Sequence, residues 1–467
     1  MKKPNIVFIL TDDQRFDTIG ALGNKEVKTP YMDLLVSSGV AFTNAHIPGG
    51  TCGAVCMPSR AMIHTGKTLF HLADNGSYIP EDHILLGEVL QKAGYDTCGI
   101  GKWHNSPAAY ARSFTSGGEI FFGGMWDHWN IPACDFDPSG EYDYSVPYTT
   151  DAFHSRVVNN MISDHINPGK HSSNLFADYA VNWLDSQRGD NPFFLYTAFM
   201  APHDPRTMPE KYLKMYEPET VSLPENFREE HLFEYGIRNV RDEVLAPYPR
   251  TEHEVRTHLA EYYGMITHLD DQIGRIIEKL KSIGEYENSI IILAGDNGLA
   301  LGQHGLFGKQ SAYEHSVRVP LIFSGPQIKA NKLCSDPCYL LDIFPTICDA
   351  LAIDKPDGIE GNSLYSQISG EEMLKDDIRD TLYFAYAELL RGVKRGGYKL
   401  IEYAGEHGKH TQLFNIEDDP FEKNDLAEHE DHKELLDDLR QELLHQRELW
   451  DDTQTPVSQR FWEAYNR

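Results

Sequence analysis

Cys56, Met57, Pro58, Ser59 and Arg60 run together and are followed by Thr65 and Gly66. A proline just inside a helix start is preorganised for that place, so the segment is expected to open a helix with Cys56 at its positive end, where an anion is favoured. A lone cysteine is usually a small buried hydrophobe, and its meaning depends on what the chain brings beside it. Four polar groups, each following an apolar run of strand length, are the candidates: Thr11-Asp12-Asp13-Gln14, Gly101-Lys102-Trp103-His104, Pro202-His203-Asp204 and Gly295-Asp296-Asn297-Gly298. Each has an ordinary explanation alone. Paired aspartates cap helices or make turns, a DN pair makes a tight turn, and a single lysine is usually solvated. Together, and with Gly308-Lys309, they assemble carboxylates, an amide, two histidines and two lysines, a set suited to holding a cation and an anion and to moving protons.

The elements that must position these groups are legible as apolar runs. Residues 5–10, 97–101, 193–199, 289–294 and 321–324 are of strand length, and residues 85–93, 175–186 and 254–282 have apolar positions at three- and four-residue spacing. This alternation predicts an α/β fold: a large mixed, mostly parallel sheet sandwiched by helices. Ligands of such sheets bind beyond the carboxyl ends of the strands, which is where the polar groups fall. Past about residue 380 the pattern changes to short strands at 381–386 and 398–403 and a helix at 432–450, predicting a small C-terminal α+β subdomain with a short antiparallel sheet. The expected division is 1–375 and 376–467. Gly49-Gly50 and Gly117-Gly118 read as flexible turns.

Composition excludes several classes. With 42 Lys and Arg against 71 Asp and Glu the formal charge is −29, which repels nucleic-acid phosphates. No apolar run approaches the roughly 20 residues of a membrane span. The apolar stretch after Lys2 and Lys3 is too short for a secretory signal, so the chain as written is expected in the cytoplasm, or in the periplasm or outside the cell if an export signal preceded it. The seven cysteines are an odd number. The spacings Cys52 to Cys56 and Cys334 to Cys338 lack an accompanying histidine pair, so zinc is not expected.

The C-x-P-S-R run followed by Thr65-Gly66 resembles the signature of the type I sulfatases, members of the alkaline phosphatase superfamily. The resemblance extends to TDDQ, GKWH, the Pro202-His203 pair, GDNG, Gly308-Lys309, Arg318-Val319-Pro320 and Tyr398-Lys399-Leu400-Ile401. It implies an alkaline phosphatase-like catalytic domain and a maturation enzyme that converts Cys56 to formylglycine. It also implies a divalent cation, calcium with magnesium as the alternative, held by the hard oxygen donors of Asp12, Asp13, Asp296 and Asn297 together with the modified Cys56. In that family the hydrated aldehyde attacks sulfur, the cation lowering the pKa of the attacking hydroxyl. By the same resemblance His104 is the base that reforms the aldehyde, His203 with Lys309 is the leaving-group acid, Lys102 and Lys309 supply charge to sulfate, and Arg60 holds the nucleophile's surroundings.

For the rest of the substrate, Gln14, Arg15, His71, Asp204, Arg206, Gln303 and His304 are the candidate readers, a polar set suited to hydroxyls and carboxylates. The chain is similar to bacterial carbohydrate sulfatases, which implies a sulfated sugar or oligosaccharide and a C-terminal subdomain that contributes to the substrate cleft. The segment 121–132, with Trp126, His128 and Trp129, is either a sugar-stacking loop or ordinary loop packing. A phosphodiesterase or phosphonate monoester hydrolase of the same superfamily remains an alternative, as does a non-catalytic glycan binder if Cys56 stays a thiol.

Overall fold

In the computed structural model, residues 2–467 are described apart from 152, 188, 190 and 371–377. The expected division at 375/376 lies outside the described residues. Eight strands form the main sheet: β1 (Asn5–Thr11), β2 (Gly39–Phe42), β3 (Asp96–Lys102), β4 (Ser116–Phe121), β5 (Phe193–Ala198), β6 (Ser289–Gly295), β7 (Leu321–Ser324) and β8 (Lys332–Cys334). Their spatial order is β8-β2-β7-β6-β1-β5-β3-β4, and only the pairings of β7 with β6 and β2 are antiparallel. The sheet is therefore mixed and mostly parallel, as the alternating pattern predicts.

Strand β1 is buried on both faces, which is why it reads as an unbroken apolar run. Its alternate side chains enter two different cores. Ile6, Phe8 and Leu10 share one with α2 (Cys56–Thr65) and α3 (Leu86–Lys92), whereas Val7 and Ile9 share the other with α1 (Pro30–Ser38), α4 (Ser172–Ser186) and α5 (Glu252–Ser282). Burying each such aliphatic side chain contributes about 1.5–3 kcal/mol. The helices thus sandwich the sheet, and register brings its carboxyl ends level: Leu10 lies opposite both Ala198 and Ala294, and Ala198 opposite Gly101. The residues that follow emerge along one rim.

The C-terminal sheet contains β9 (Thr381–Tyr386), β10 (Leu390–Arg395), β11 (Tyr398–Tyr403) and β12 (His410–Asn415), all antiparallel, with α6 (Lys433–Leu449) beyond them. Leu382, Phe384, Leu400 and Leu413 belong to the same core as Ile6 and Leu10. A fifth strand closes this sheet: Gly49–Gly50 pairs in parallel with Ala385 and Tyr386. Neither glycine pair is a flexible turn. Gly117 and Gly118 lie within β4, where an added Cβ would stand 2.0 Å from the Tyr110 hydroxyl and 2.3 Å from the Tyr179 ring. At Gly49 it would stand 2.1 Å from the Ala385 carbonyl. Close approach, not turning, is what these glycines permit.

Candidate active site

Cys56 is the first residue of α2. Pro58 removes one of the amide donors that a helix start leaves unpaired, and the Ser59 hydroxyl donates to the Asp296 carbonyl at 2.6 Å, fastening the helix to the end of β6. The helix ends at Gly66, in the left-handed region with φ 63°, its N–H donating to the Met62 carbonyl at 2.8 Å. The Cys-x-Pro-Ser-Arg and Thr-Gly runs are thus the two ends of one short buried helix.

Around Cys56 the strand ends converge. Its Sγ lies 3.4 Å from His104 Nδ1 and 3.5 Å from Lys102 Nζ. Lys102 is ion-paired to Asp12 Oδ2, and Lys309 Nζ meets Asp13 Oδ1 at 2.6 Å. Arg60 donates through Nε to Asp296 Oδ2 at 2.8 Å and through Nη1 to the Lys102 carbonyl at 3.0 Å, with Asp12 Oδ2 at 3.4 Å. The Asp13 N–H donates to Asp296 Oδ1 at 3.1 Å, and Asn297 Nδ2 donates to Asp13 Oδ1. His203 Nε2 faces Asp13 Oδ2 at 3.6 Å, while its Nδ1 donates to the Asp204 carbonyl at 2.8 Å. All ten proposed catalytic and cation-binding residues therefore fall in one cluster, and apart from half-buried His104 all are buried.

Burial dominates the electrostatics. It raises Asp296, with the Asp12 carboxylate adding to it, to about 6. At Asp12 burial acts the same way but is overcome by Lys102, His203, Arg60 and Lys309, which hold it well below the usual carboxylate range. The Cys56 thiol is pushed up to about 11 by burial, despite Lys102 and Lys309. Burial, then Lys102 and Arg60, hold His104 well below its ordinary value. At Lys309 burial opposes the charge, yet Asp13 and its acidic neighbours more than offset it.

The donor set fits a hard cation. Ligand atoms of Asp12, Cys56 and Asp296, and of Asp12, Asp13 and His203, each lie within 4.8 Å of one another. Two oxygens in the cluster, Asp12 Oδ1 and Asn297 Oδ1, are buried without any hydrogen-bond partner. A buried orphan acceptor is costly, and two beside three carboxylates are what a calcium-type ion would relieve.

The substrate-reading candidates do not join the cluster as a group. His71 is held by Glu360 and Asp451, at 2.9 Å each. Gln14 turns inward to Thr18 and Met32, and Arg15 is ion-paired to Asp17. Gln303 accepts the Leu301 N–H, and His304 stacks on Tyr313 with ring centroids 4.0 Å apart. Asp204 is bound in bidentate fashion by Arg241, and Arg206 Nη1 meets His258 Nδ1 at 2.7 Å. Asp204 and Arg206 lie on the loop that carries His203, and Asp204 Oδ1 stands 3.4 Å from His203 Nδ1. In the segment 121–132, His128 is buried against His171 and Trp129 packs edge-on to that same ring, while Trp126 meets Tyr148 edge-on. These rings pack into the wall, and Gly124 lies against the His104 ring. Sequence reasoning missed Tyr262, whose hydroxyl donates to the Asp13 carbonyl at 2.6 Å. It lies on the buried face of α5, where nothing distinguishes it from core. All seven cysteines are free.

The sulfatase family model matches residues 4–353, and that of the N-sulphoglucosamine sulphohydrolase C-terminal region matches residues 302–449. An ulvan-active sulfatase of Formosa agariphila is 29% identical over 460 residues, covering 94% of this chain and 80% of that protein. An N-acetylglucosamine-6-O-sulfatase of Bacteroides thetaiotaomicron is 26% identical, covering 91% and 83%. A solved structure holding its substrate D-glucosamine-2-N,6-O-disulfate superposes with a TM-score of 0.79 at 23% identity, covering 98% of this chain and 99% of that one.

Proposed function

Because the chain belongs to the sulfatase family, we propose that it hydrolyses a sulfate ester carried by a sugar or oligosaccharide, using Cys56 after a maturation enzyme has converted it to formylglycine. The observation that carries this is the place of Cys56: first residue of a helix, its Sγ within reach of His104 and Lys102 and inside the carboxylate cluster. In this reading Sγ stands where an oxygen of the hydrated aldehyde would stand. As a thiol held at about 11, the unmodified side chain is protonated at neutral pH and a poor nucleophile.

One hydroxyl of the hydrated residue 56 attacks sulfur, and the ester S–O bond breaks. Lys102 and Lys309 face the sulfate oxygens with fixed charge. His203, with Lys309, protonates the leaving alcohol. His104, neutral because burial and the flanking cations disfavour its charge, then takes the proton of the second hydroxyl, so that the aldehyde reforms and sulfate departs. Asp12, Asp13, Asp296 and Asn297 would hold a divalent cation, calcium with magnesium as the alternative, which when bound would supply Lewis acidity to the nucleophile and the sulfate. Arg60 keeps Asp296 and Asp12 aimed.

A sugar as the alcohol is supported by the relatives named for ulvan and N-acetylglucosamine and by the neighbour holding a glucosamine disulfate. The C-terminal part, residues 376–467, is proposed to contribute to the cleft through Tyr386, whose hydroxyl lies beside Gly53, close before Cys56. The test is turnover of a panel of sulfated mono- and disaccharides by matured protein and by Cys56→Ala, with mass analysis of the Cys56 peptide to establish loss of sulfur. Full activity in Cys56→Ala would sink the reading; faster turnover of aryl phosphate than aryl sulfate esters would move it to the phosphoryl branch of the superfamily.

A further inference from the structure

We infer that His128 is a positioning residue for His203, setting where the leaving-group acid stands; the inference rests on the acid role given to His203 above. His128 is fully buried, and its Nε2 donates to the His203 carbonyl at 3.0 Å. The direction of that bond is fixed from behind: Ser172 Oγ lies 2.7 Å from His128 Nδ1 and donates to it, leaving the ring proton on Nε2. The Ser172 N–H donates to the His128 carbonyl at 2.7 Å, so the start of α4 grips His128 twice. The ring is further confined by stacking on His171, with centroids 4.9 Å apart and planes within 6°.

His203 itself has few other tethers. Its N–H donates to the Met200 carbonyl and its Nδ1 to the Asp204 carbonyl, which leaves Nε2 turned toward Asp13. The carbonyl held by His128 belongs to the peptide that carries both His203 and the Asp204 anchor. Losing that bond frees the loop at the point where an ångström decides whether Nε2 meets the leaving oxygen. The proton matters in proportion to the alcohol's basicity. When the S–O bond breaks, the electron pair stays on oxygen; an acidic phenol carries it unaided, whereas a sugar hydroxyl needs the proton from His203.

The experiment compares His128→Ala, His128→Gln and Ser172→Ala with the matured wild type on two sulfate esters, 4-nitrophenyl sulfate and a sulfated monosaccharide turned over by the wild type. Expected for His128→Ala is a fall in kcat of about 100-fold on the sugar ester, with KM little changed, and a fall of only a few-fold on the aryl ester. His128→Gln, whose amide can still donate to the His203 carbonyl, recovers most of the loss. Ser172→Ala, which keeps the ring and removes only the bond that fixes its proton, shows a smaller loss of the same kind and serves if His128→Ala does not fold. Equal losses on both esters, or none on either, would overturn the inference. Absence of sulfate ester turnover in the matured wild type would instead overturn the functional reading on which it rests.

Discussion

Arg60 and Asp296 form a salt bridge withdrawn from solvent, Nε to Oδ2 at 2.8 Å, that ties the middle of α2 to the residue that follows β6. Removing one member leaves the other buried and uncompensated. Arg60→Ala is expected to cost about 3–5 kcal/mol in denaturant unfolding and to lower kcat/KM by at least about 100-fold, because Asp296 loses its aim. Wild-type stability in that variant would contradict the assignment.

The two orphan oxygens, Asp12 Oδ1 and Asn297 Oδ1, make the cation a matter of folding as well as catalysis. Chelation is expected to abolish turnover and lower the melting temperature, and calcium at about 100 times its Kd to restore about 2.7 kcal/mol. In Asp12→Asn the calcium-dependent shift should largely vanish. A melting curve indifferent to chelator would remove the four oxygen donors from their role.

Gly101, with φ 87°, is in the left-handed region, and a Cβ there would meet the Ala198 carbonyl at 2.2 Å. Gly101→Ala therefore combines backbone strain with a clash between β3 and β5, one residue before Lys102. A loss exceeding about 1 kcal/mol is expected, with activity falling more than stability; an unaltered melt and unaltered kcat would show that the strands part freely.

Several histidines are buried and pushed down mainly by loss of hydration: His46 to about 4, His64 to about 3 and His304 to about 3. The unfolded chain takes up protons near pH 6.5, before the folded one does, so stability falls as pH drops from about 6.5 toward 4. His64 is the clearest case. Both its ring nitrogens lack partners, and it sits between Trp103 and Tyr196. His64→Leu should flatten the decline by up to about 3 kcal/mol at pH 4, read from melts across that range. An acid profile identical to wild type would refute a neutral buried imidazole.

The central strands β1, β5 and β6 were legible because strands buried on both faces are predominantly apolar, and Asp12, Asp13, Lys102, His104, His203, Asp296 and Asn297 because they lie at or just past strand ends; Cys56, Arg60 and Lys309 were legible only through the family resemblance. β4 was not, since Gly117 and Gly118 look like a turn until Tyr110 and Tyr179 are seen lying on them. β10 was hidden differently. Its Arg391 and Lys394 are buried because Asp452 and Glu314, distant in sequence, neutralise them. The same blindness explains His71 and His304: a polar residue's letter does not say whether Glu360 or Tyr313 has already claimed it.

The pairing of Gly49–Gly50 with Ala385 and Tyr386 also orders events in time. The stretch leading into Cys56 can take its final place only after the ribosome has delivered β9, far along the chain. Until then Gly49 and Gly50, just ahead of the helix that begins at Cys56, have no strand of that sheet to pair with.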